Sequence, residues 1–421
     1  LLVEQHPDQE GERFVGEERV GGLVAGDVEG HASMFPLSAH AGWGRMDSMD
    51  AAAAPDLISQ ARRARVAVVG GGVAGLVAAL ECAKLGIRVT LFESGDRLGG
   101  IVASAELDGR RVDVAADGFR VAPGALQELL DDLGLRGAVV SAREAETWVA
   151  GPHGVAPLPD ASILGIPANP FDARVRRIIG WSGTWRAYVD RLRPPLTIGA
   201  QRSLGALVES RMGPRVLERM VAPLTFGIHG VPPEEVDVDR AARGLNAALT
   251  RTGSLSGAVA QQLPDGDAGS SRATIEGGMS VFVDAVAQRL ADLEVDVRTA
   301  TAATGLRRTD DGWTVTWTEE EEEQTLDVDA VIVATPEGPA RRLLAPHLPG
   351  LDGAVLSPDD VDVVTLVLDS PALDARPRGH AVYAAPGAAA AIAVVHATAT
   401  WPHRAGEPHI VRVTTPASDL A

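Results

Sequence analysis

Cysteine is almost absent from this 421-residue chain: Cys82 is the only one. A single thiol excludes an intramolecular disulfide framework and any cysteine-based zinc cluster, and it fits a reducing, cytoplasmic compartment. Aromatic residues amount to 4%, which gives little material for an aromatic cage around an amine. Long apolar runs are missing too. Val66 to Leu80 carries four glycines and is too short to span a bilayer, while Ala381 to Trp401 is broken by Pro386, Gly387 and His396. No transmembrane helix is expected; peripheral contact with a membrane stays open. Positive charge is scarce, with 38 Lys plus Arg against 57 Asp plus Glu and a formal net charge of −19. That balance repels a phosphate backbone, so nucleic acid is not an expected partner. The ten histidines show no H-E-x-x-H or paired ligand spacing, which argues against a metal. The first residues carry acids where a secretory signal would carry bases, so export is not indicated.

The rest of the composition is that of a globular protein, with 45% hydrophobic and 23% charged residues. Residues 1–60 differ. They hold eleven acids and three bases, a net charge of −8, without apolar periodicity, and are expected to form a disordered extension. Met46 and Met49 stand shortly before the first periodic segment, so a start-site artefact is one expectation for this stretch and a regulatory tail another. Order is predicted from Arg65. A strand at Arg65 to Val69, a helix at Ala74 to Leu85 stopped by Gly86, and a strand at Arg88 to Phe92 make a βαβ unit. Ala125 to Trp185 reads as largely helical with a Pro-rich loop, and helix continues from Ser203 to Leu249. Then come a helix at Met279 to Leu290 and strands at Val295 to Arg298, Trp313 to Thr318, Thr325 to Asp329 and Val331 to Ala334. The acidic run Glu319 to Glu323 reads as a solvated hairpin tip. Strands at Val361 to Leu368, Ala390 to His396 and Ile410 to Thr414 suggest an antiparallel sheet.

Gly70, Gly72 and Gly75 spell G-x-G-x-x-G between the first strand and its helix, the context this motif requires. Gly70 permits the tight turn, Gly72 lets the backbone approach a pyrophosphate, and Gly75 allows helix and strand to pack closely. The amides opening the helix, at Val73 and Ala74, favour a diphosphate together with the helix dipole. Glu93 ends the second strand, 18 residues after Gly75, where a carboxylate can accept hydrogen bonds from ribose hydroxyls.

Directly after that strand, Glu93, Arg97, Gly99 and Gly100 spell E-x-x-x-R-x-G-G, with Ser104 and Asp113 downstream. This resembles the amine-oxidase-type flavoproteins. Several segments resemble their protoporphyrinogen and coproporphyrinogen oxidase branch: Ala156-Pro-Leu-Pro159, Leu164-Gly-Ile-Pro167, Ser203-Leu-Gly-Ala-Leu-Val208 and Arg211-Met-Gly213. Others are Leu217-Glu-Arg-Met-Val-Ala-Pro223, Gly227, Gly253-Ser-Leu255 and Gly277-Gly278. The resemblance implies an α/β fold: a Rossmann-like FAD-binding domain with an inserted helical and antiparallel-sheet substrate region. On that reading residues 61–120 and 270–340 form the FAD-binding domain, 121–269 a mostly helical substrate region, and 341–421 an incomplete substrate-domain sheet.

The implied cofactor is FAD, held by Gly70, Gly72, Val73, Ala74, Gly75, Glu93, Arg97, Gly99, Gly100 and the backbone of Ala303, with the Ala334-Thr-Pro336 turn beside the flavin. The implied reaction is six-electron oxidation of a porphyrinogen to the porphyrin in haem synthesis, with O2 reoxidising the flavin. Arg120 is a candidate partner for a substrate propionate; a surface arginine is the alternative. Ile101 replaces the family's usual Arg or Lys, and Ala115 its usual Gly. The family also continues past the position of Ala421, so a C-terminally truncated member is expected. Another amine-oxidase-type enzyme, such as an amine oxidase or carotenoid desaturase, and a non-catalytic truncated FAD-fold protein remain alternatives. Cys82 is expected to face the sheet as a small buried hydrophobe, and His229 and His396 to be surface or satisfied core residues.

Overall fold

The computed structural model describes residues 59, 61–121, 124–192, 201–263, 272–351, 361–404 and 408–416. The expected disordered extension, apart from Ser59, lies outside the described residues. The described residues fall into two compact units, one within Leu1–Ala103, Ala122–Gly137 and Ser280–Val355, the other within Ser104–Val121, Ala138–Met279 and Leu356–Ala421. The fold is α/β, with mixed helices and sheets.

The first unit is built on a four-stranded parallel sheet in the order Asp296–Arg298, Arg88–Phe92, Arg65–Val69, Ala330–Val333. Its inner strand Arg65–Val69 is a short apolar run, as expected of a parallel strand covered on both faces; Val66, Ala67, Val68 and Val69 are all buried. The Val73–Lys84 helix buries Leu76, Ala79, Leu80 and Ala83, a stripe at helical spacing. Gly86 ends it with φ 83, a left-handed value that favours glycine. Cys82 lies beside that stripe and is half-buried rather than fully buried. Burial, and then the Glu81 carboxylate, push its thiol pKa up, the opposite of an activated nucleophile. A three-stranded antiparallel sheet, Ala303–Arg308, Trp313–Glu319 and Glu322–Val328, completes the unit. The acidic run is its hairpin tip: Glu319 pairs with Glu322, and Glu320 and Glu321 take positive φ in the turn.

The second unit holds a six-stranded sheet in the order Val361–Leu368, His409–Pro416, Ala393–His396, Ala381–Ala384, Thr147–Gly151, Gly154–Pro157. It is antiparallel apart from the parallel pair between Ala381–Ala384 and Thr147–Gly151. The largely helical reading of Ala125 to Trp185 is therefore corrected. Five short strands run from Val139–Ser141 to Ile166–Pro167 before helix resumes at Ala173–Tyr188. The distant ladder partners of the first two lie at Arg272–Ile275 and Ala381–Ala384, too far away in sequence for local periodicity to reveal. The other three pair locally, Gly154–Pro157 with Thr147–Gly151 and Ser162–Ile163 with Ile166–Pro167.

The segments that carried the resemblance meet one another in this unit. Ser203 and Ser254 each cap a helix, accepting from the amides of Ala206 and Gly257. The fully buried carboxylate of Asp190 accepts from the Leu255 amide at 2.5 Å and pairs with Arg211 at 3.2 Å. Arg211 also donates to the Gly253 carbonyl. A side chain at Gly165 would lie 2.3 Å from the Met220 carbonyl oxygen, so that turn must be glycine for the two segments to touch.

Candidate functional site

The glycine loop leaves the Arg65–Val69 strand and is closed by backbone contacts. Gly70 donates to the Phe92 carbonyl and has φ 110. A methyl group at Gly75 would stand 1.8 Å from the Gly70 carbonyl oxygen, so the loop and the Val73–Lys84 helix meet without space for any side chain. At Gly72, by contrast, an added side chain would meet nothing within 4 Å. Gly72 is the N-cap; no side chain caps the helix, and its first turn carries no acid. The opening amides of such a helix have no partner within it. Open space above uncapped amides suits a diphosphate.

Glu93 grips the same loop from the end of the neighbouring strand. Its Oε2 accepts from the Gly71 amide at 2.6 Å and its Oε1 from the Gly95 amide at 2.7 Å. Each carboxylate oxygen accepts more than one hydrogen bond, so a half-buried Glu93 holds the loop and keeps capacity for a sugar hydroxyl. Gly99 donates to the Gly71 carbonyl at 2.8 Å, seating the E-x-x-x-R-x-G-G turn against the loop. The exposed Arg97 guanidinium donates to the Gly100 carbonyl at 3.0 Å and, at 3.4 Å, to those of Leu98 and Val102. It thus fixes its own turn.

The later segment joins the loop through backbone. The Glu93 amide donates to the Arg298 carbonyl, and the amides of Ala300 and Thr301 donate to Gly95 and Glu93. This carries the chain to Ala303, half-buried at a register shift in its strand. The Ala334 amide donates to the Val69 carbonyl, and the Ala334-Thr-Pro336 turn lies directly against Gly70. Two parts of this arrangement escaped the sequence reading. Gly71 falls outside the motif's fixed glycines, yet its side-chain position is filled by Glu93 and Leu98; the run of three glycines at 70–72 was the available signal. The stack of Arg298 over Trp317 and Phe92, with centroid distances of 4.8 and 5.7 Å, had no signal in either segment alone.

In the second unit, Asp113 is buried and accepts from the Ser104 hydroxyl and the Met279 amide, both at 2.9 Å. Burial raises its carboxyl pKa despite those hydrogen bonds. A side chain at Gly278 would press on the same carboxylate. Thus Ser104, Asp113 and the Gly277-Gly278 pair form one local structure. Arg120 is exposed on a two-residue strand opposite Arg272. Ala115 is exposed, and its carbonyl accepts from Arg412 at 2.5 Å; in the first unit Ile101 is 76% exposed. His229 is exposed, whereas His396 is buried against His409. A cavity of about 560 Å³ lined by His153, Arg177, Glu218 and Arg219 among others includes none of the site residues expected from the sequence. No group of three or more metal-ligating side chains occurs among the described residues, and no helix there is long and apolar enough to cross a membrane.

Residues 73–374 match the family described as flavin containing amine oxidoreductase. A coproporphyrinogen III oxidase of Mycobacterium tuberculosis is 29% identical over 227 residues, covering 53% of this chain and 50% of the relative. One from Staphylococcus aureus is 26% identical over 283 residues, covering 64% and 60%. Protoporphyrinogen oxidase 2 of Arabidopsis thaliana is 22% identical, covering 65% and 57%. The chain spans about half the length of the first of these relatives. Among solved structures, an Exiguobacterium protein provisionally named protoporphyrinogen oxidase superposes with TM-score 0.70 at 22% identity, covering 84% of this chain and 77% of the other. A putrescine oxidase gives 0.57 at 20%, covering 84% and 75%. These similarities fix the shared fold, and the extent of the family match is decisive: the chain belongs to the flavin containing amine oxidoreductase family.

Proposed function

We propose that this chain binds FAD and belongs to an enzyme that oxidises a porphyrinogen, coproporphyrinogen III or protoporphyrinogen IX, to its porphyrin with O2 as acceptor, in the cytoplasmic stage of haem synthesis. The observation that carries the proposal is the uncapped, glycine-lined start of the Val73–Lys84 helix beside the Glu93 carboxylate. The amides of Val73, Ala74 and Gly75 would hold the diphosphate, and Glu93 the ribose. Gly99, Gly100 and Arg97 would shape the turn passing the diphosphate, with Ala303 backing the adenine. A bound flavin would supply the two-electron oxidations. The protein's part is to position the substrate and exclude water, so no protein nucleophile is called for. The names of the matched relatives support the porphyrinogen class.

Two measurements separate the components of the reading. Equilibration with FAD followed by desalting should leave visible flavin absorbance on the chain. Porphyrin fluorescence should then grow from colourless coproporphyrinogen III or protoporphyrinogen IX in air. Flavin retention with neither porphyrin formed would reject the substrate class and keep the cofactor; no flavin retention would reject both.

A further inference from the structure

A separate cavity of about 440 Å³ in the second unit gathers two histidines and three arginines that the flavin reading leaves unused. Its centre is a chain of hydrogen bonds. His396 Nε2 lies 3.1 Å from His409 Nδ1, and His409 Nε2 lies 3.0 Å from the Asp374 carboxylate. A carboxylate only accepts, so His409 donates from Nε2 and offers its Nδ1 lone pair, to which His396 donates from Nε2. His396 Nδ1 is then the nitrogen that takes up the next proton. His396 is 8% exposed; its pKa is lowered by burial first, then by His409 and Arg376.

The cationic side is not balanced locally. Arg143 donates to the carbonyls of Thr398 and Pro402, neither of which neutralises it. Burial and the neighbouring Arg376 both lower its pKa, a sign that the two guanidinium groups repel each other. Arg376 is exposed, takes a positive φ of 49, and has no side-chain hydrogen bond or ion pair among the described residues. The third arginine, Arg404, is engaged with the Arg111 carbonyl. Of the two acids lining the cavity, Asp374 is committed to His409, and Asp369 is exposed. From the turn before the strand Ala381–Ala384, His380 faces Thr147 and the Ala145 carbonyl through its own ring nitrogens.

We propose that this cavity binds a compact oxyanion, the carboxylate or phosphate group of a small molecule, between Arg376 and Arg143, with uptake of a proton by His396. An anion there replaces guanidinium repulsion by two charge-assisted contacts. It also converts the field at His396 from one that opposes protonation to one that favours it. Binding is therefore tightest below the ligand-free titration of His396 and weakens as pH rises through its ligand-bound titration.

Sulfate is the probe, since it stays doubly charged across the range of interest. Calorimetric titration of the full chain at constant ionic strength should show affinity about tenfold higher at pH 5.5 than at pH 8. Arg376→Gln, an exposed change that leaves the fold intact by circular dichroism, should weaken binding about tenfold. His396→Gln should leave binding independent of pH. At pH 7, displacement of sulfate by acetate would mark a carboxylate ligand, and displacement by methyl phosphate a phosphate monoester. Absence of sulfate binding at both pH values, an unaffected Arg376→Gln chain, or wild-type affinity equal at the two pH values would each overturn the proposal. None of these measurements depends on flavin.

Discussion

The glycine loop of the first unit and the Asp190–Arg211 centre of the second solve the same problem with opposite materials. The loop satisfies its polar groups through backbone: amides of Gly70, Gly71, Gly95 and Gly99 pair with carbonyls or with one carboxylate. The other centre uses side chains, a carboxylate with no exposure and an arginine with almost none, drawn from segments 21 residues apart and pinned to Leu255. Backbone geometry demands glycine at fixed short spacing and therefore leaves a motif. A side-chain pair demands only that two charges arrive together, and its sequence trace is a scatter of short segments.

The comparison can be broken most forcefully at the ion pair. Asp190→Ala strands a buried guanidinium and is expected to cost about 3–5 kcal/mol in chemical denaturation. The double change Asp190→Leu with Arg211→Met should restore most of that loss, because the desolvation of both charges disappears with them. If the single variant were as stable as the parent, the pair would be solvated and the contrast false.

The loop should break sterically. Gly75→Val forces atoms into the space of the Gly70 carbonyl and is expected to destabilise the chain by about 1–3 kcal/mol and to abolish flavin retention. Gly72→Ala meets no neighbour, so it should fold normally while still weakening flavin binding; equal binding would remove the diphosphate from that position. A gentler change is Glu93→Gln, which keeps one acceptor and turns an amino group toward the Gly71 or Gly95 amide. Its expected cost is about 1 kcal/mol in thermal melting, with weaker flavin binding. A flavin affinity unaltered in that variant would assign Glu93 to loop structure alone.

What could be read beforehand follows the same division. The strands Arg65–Val69, Arg88–Phe92 and Val361–Leu368 lie where the apolar runs placed them, and the Val73–Lys84 helix differs from its expected ends by one residue at each side. Local pattern suffices there because burial on the sheet and the Gly86 stop act within a few residues. Val139–Ser141 and Thr147–Gly151 were missed because they have partners in Arg272–Ile275 and Ala381–Ala384. The three strands after them pair across short turns but are only four, two and two residues long, too short for a period-two pattern to register. Cys82 was expected to be buried and is half-buried, beside the buried Gly75, Leu76, Ala79, Leu80 and Ala83 of the same helix. At the site, the motif glycines and Glu93 were legible. The grip of Glu93 on Gly71 and the approach of Ala334 were not, because both depend on how neighbouring strands are staggered.

The smallest expected effect concerns pH. His380 and His396 carry lowered pKa values, in both cases chiefly from burial. Between those values and the unfolded histidine value of about 6.5, the unfolded chain binds more protons, so stability rises with pH across that interval. The melting temperature should therefore fall as the solution is taken from neutral to acid, and His380→Asn should reduce the slope. A flat profile in the parent chain would show both rings to be solvated.

The central claim is that a flavin dinucleotide lies on the start of the Val73–Lys84 helix. Thermal unfolding of the full chain with increasing FAD tests it directly. At about 100 times the dissociation constant, the folded form should gain about 2.7 kcal/mol, with the shift greatly reduced in Gly75→Val and in Gly72→Ala. A melting temperature indifferent to FAD at saturating concentration, or one raised equally in those variants, would contradict the claim.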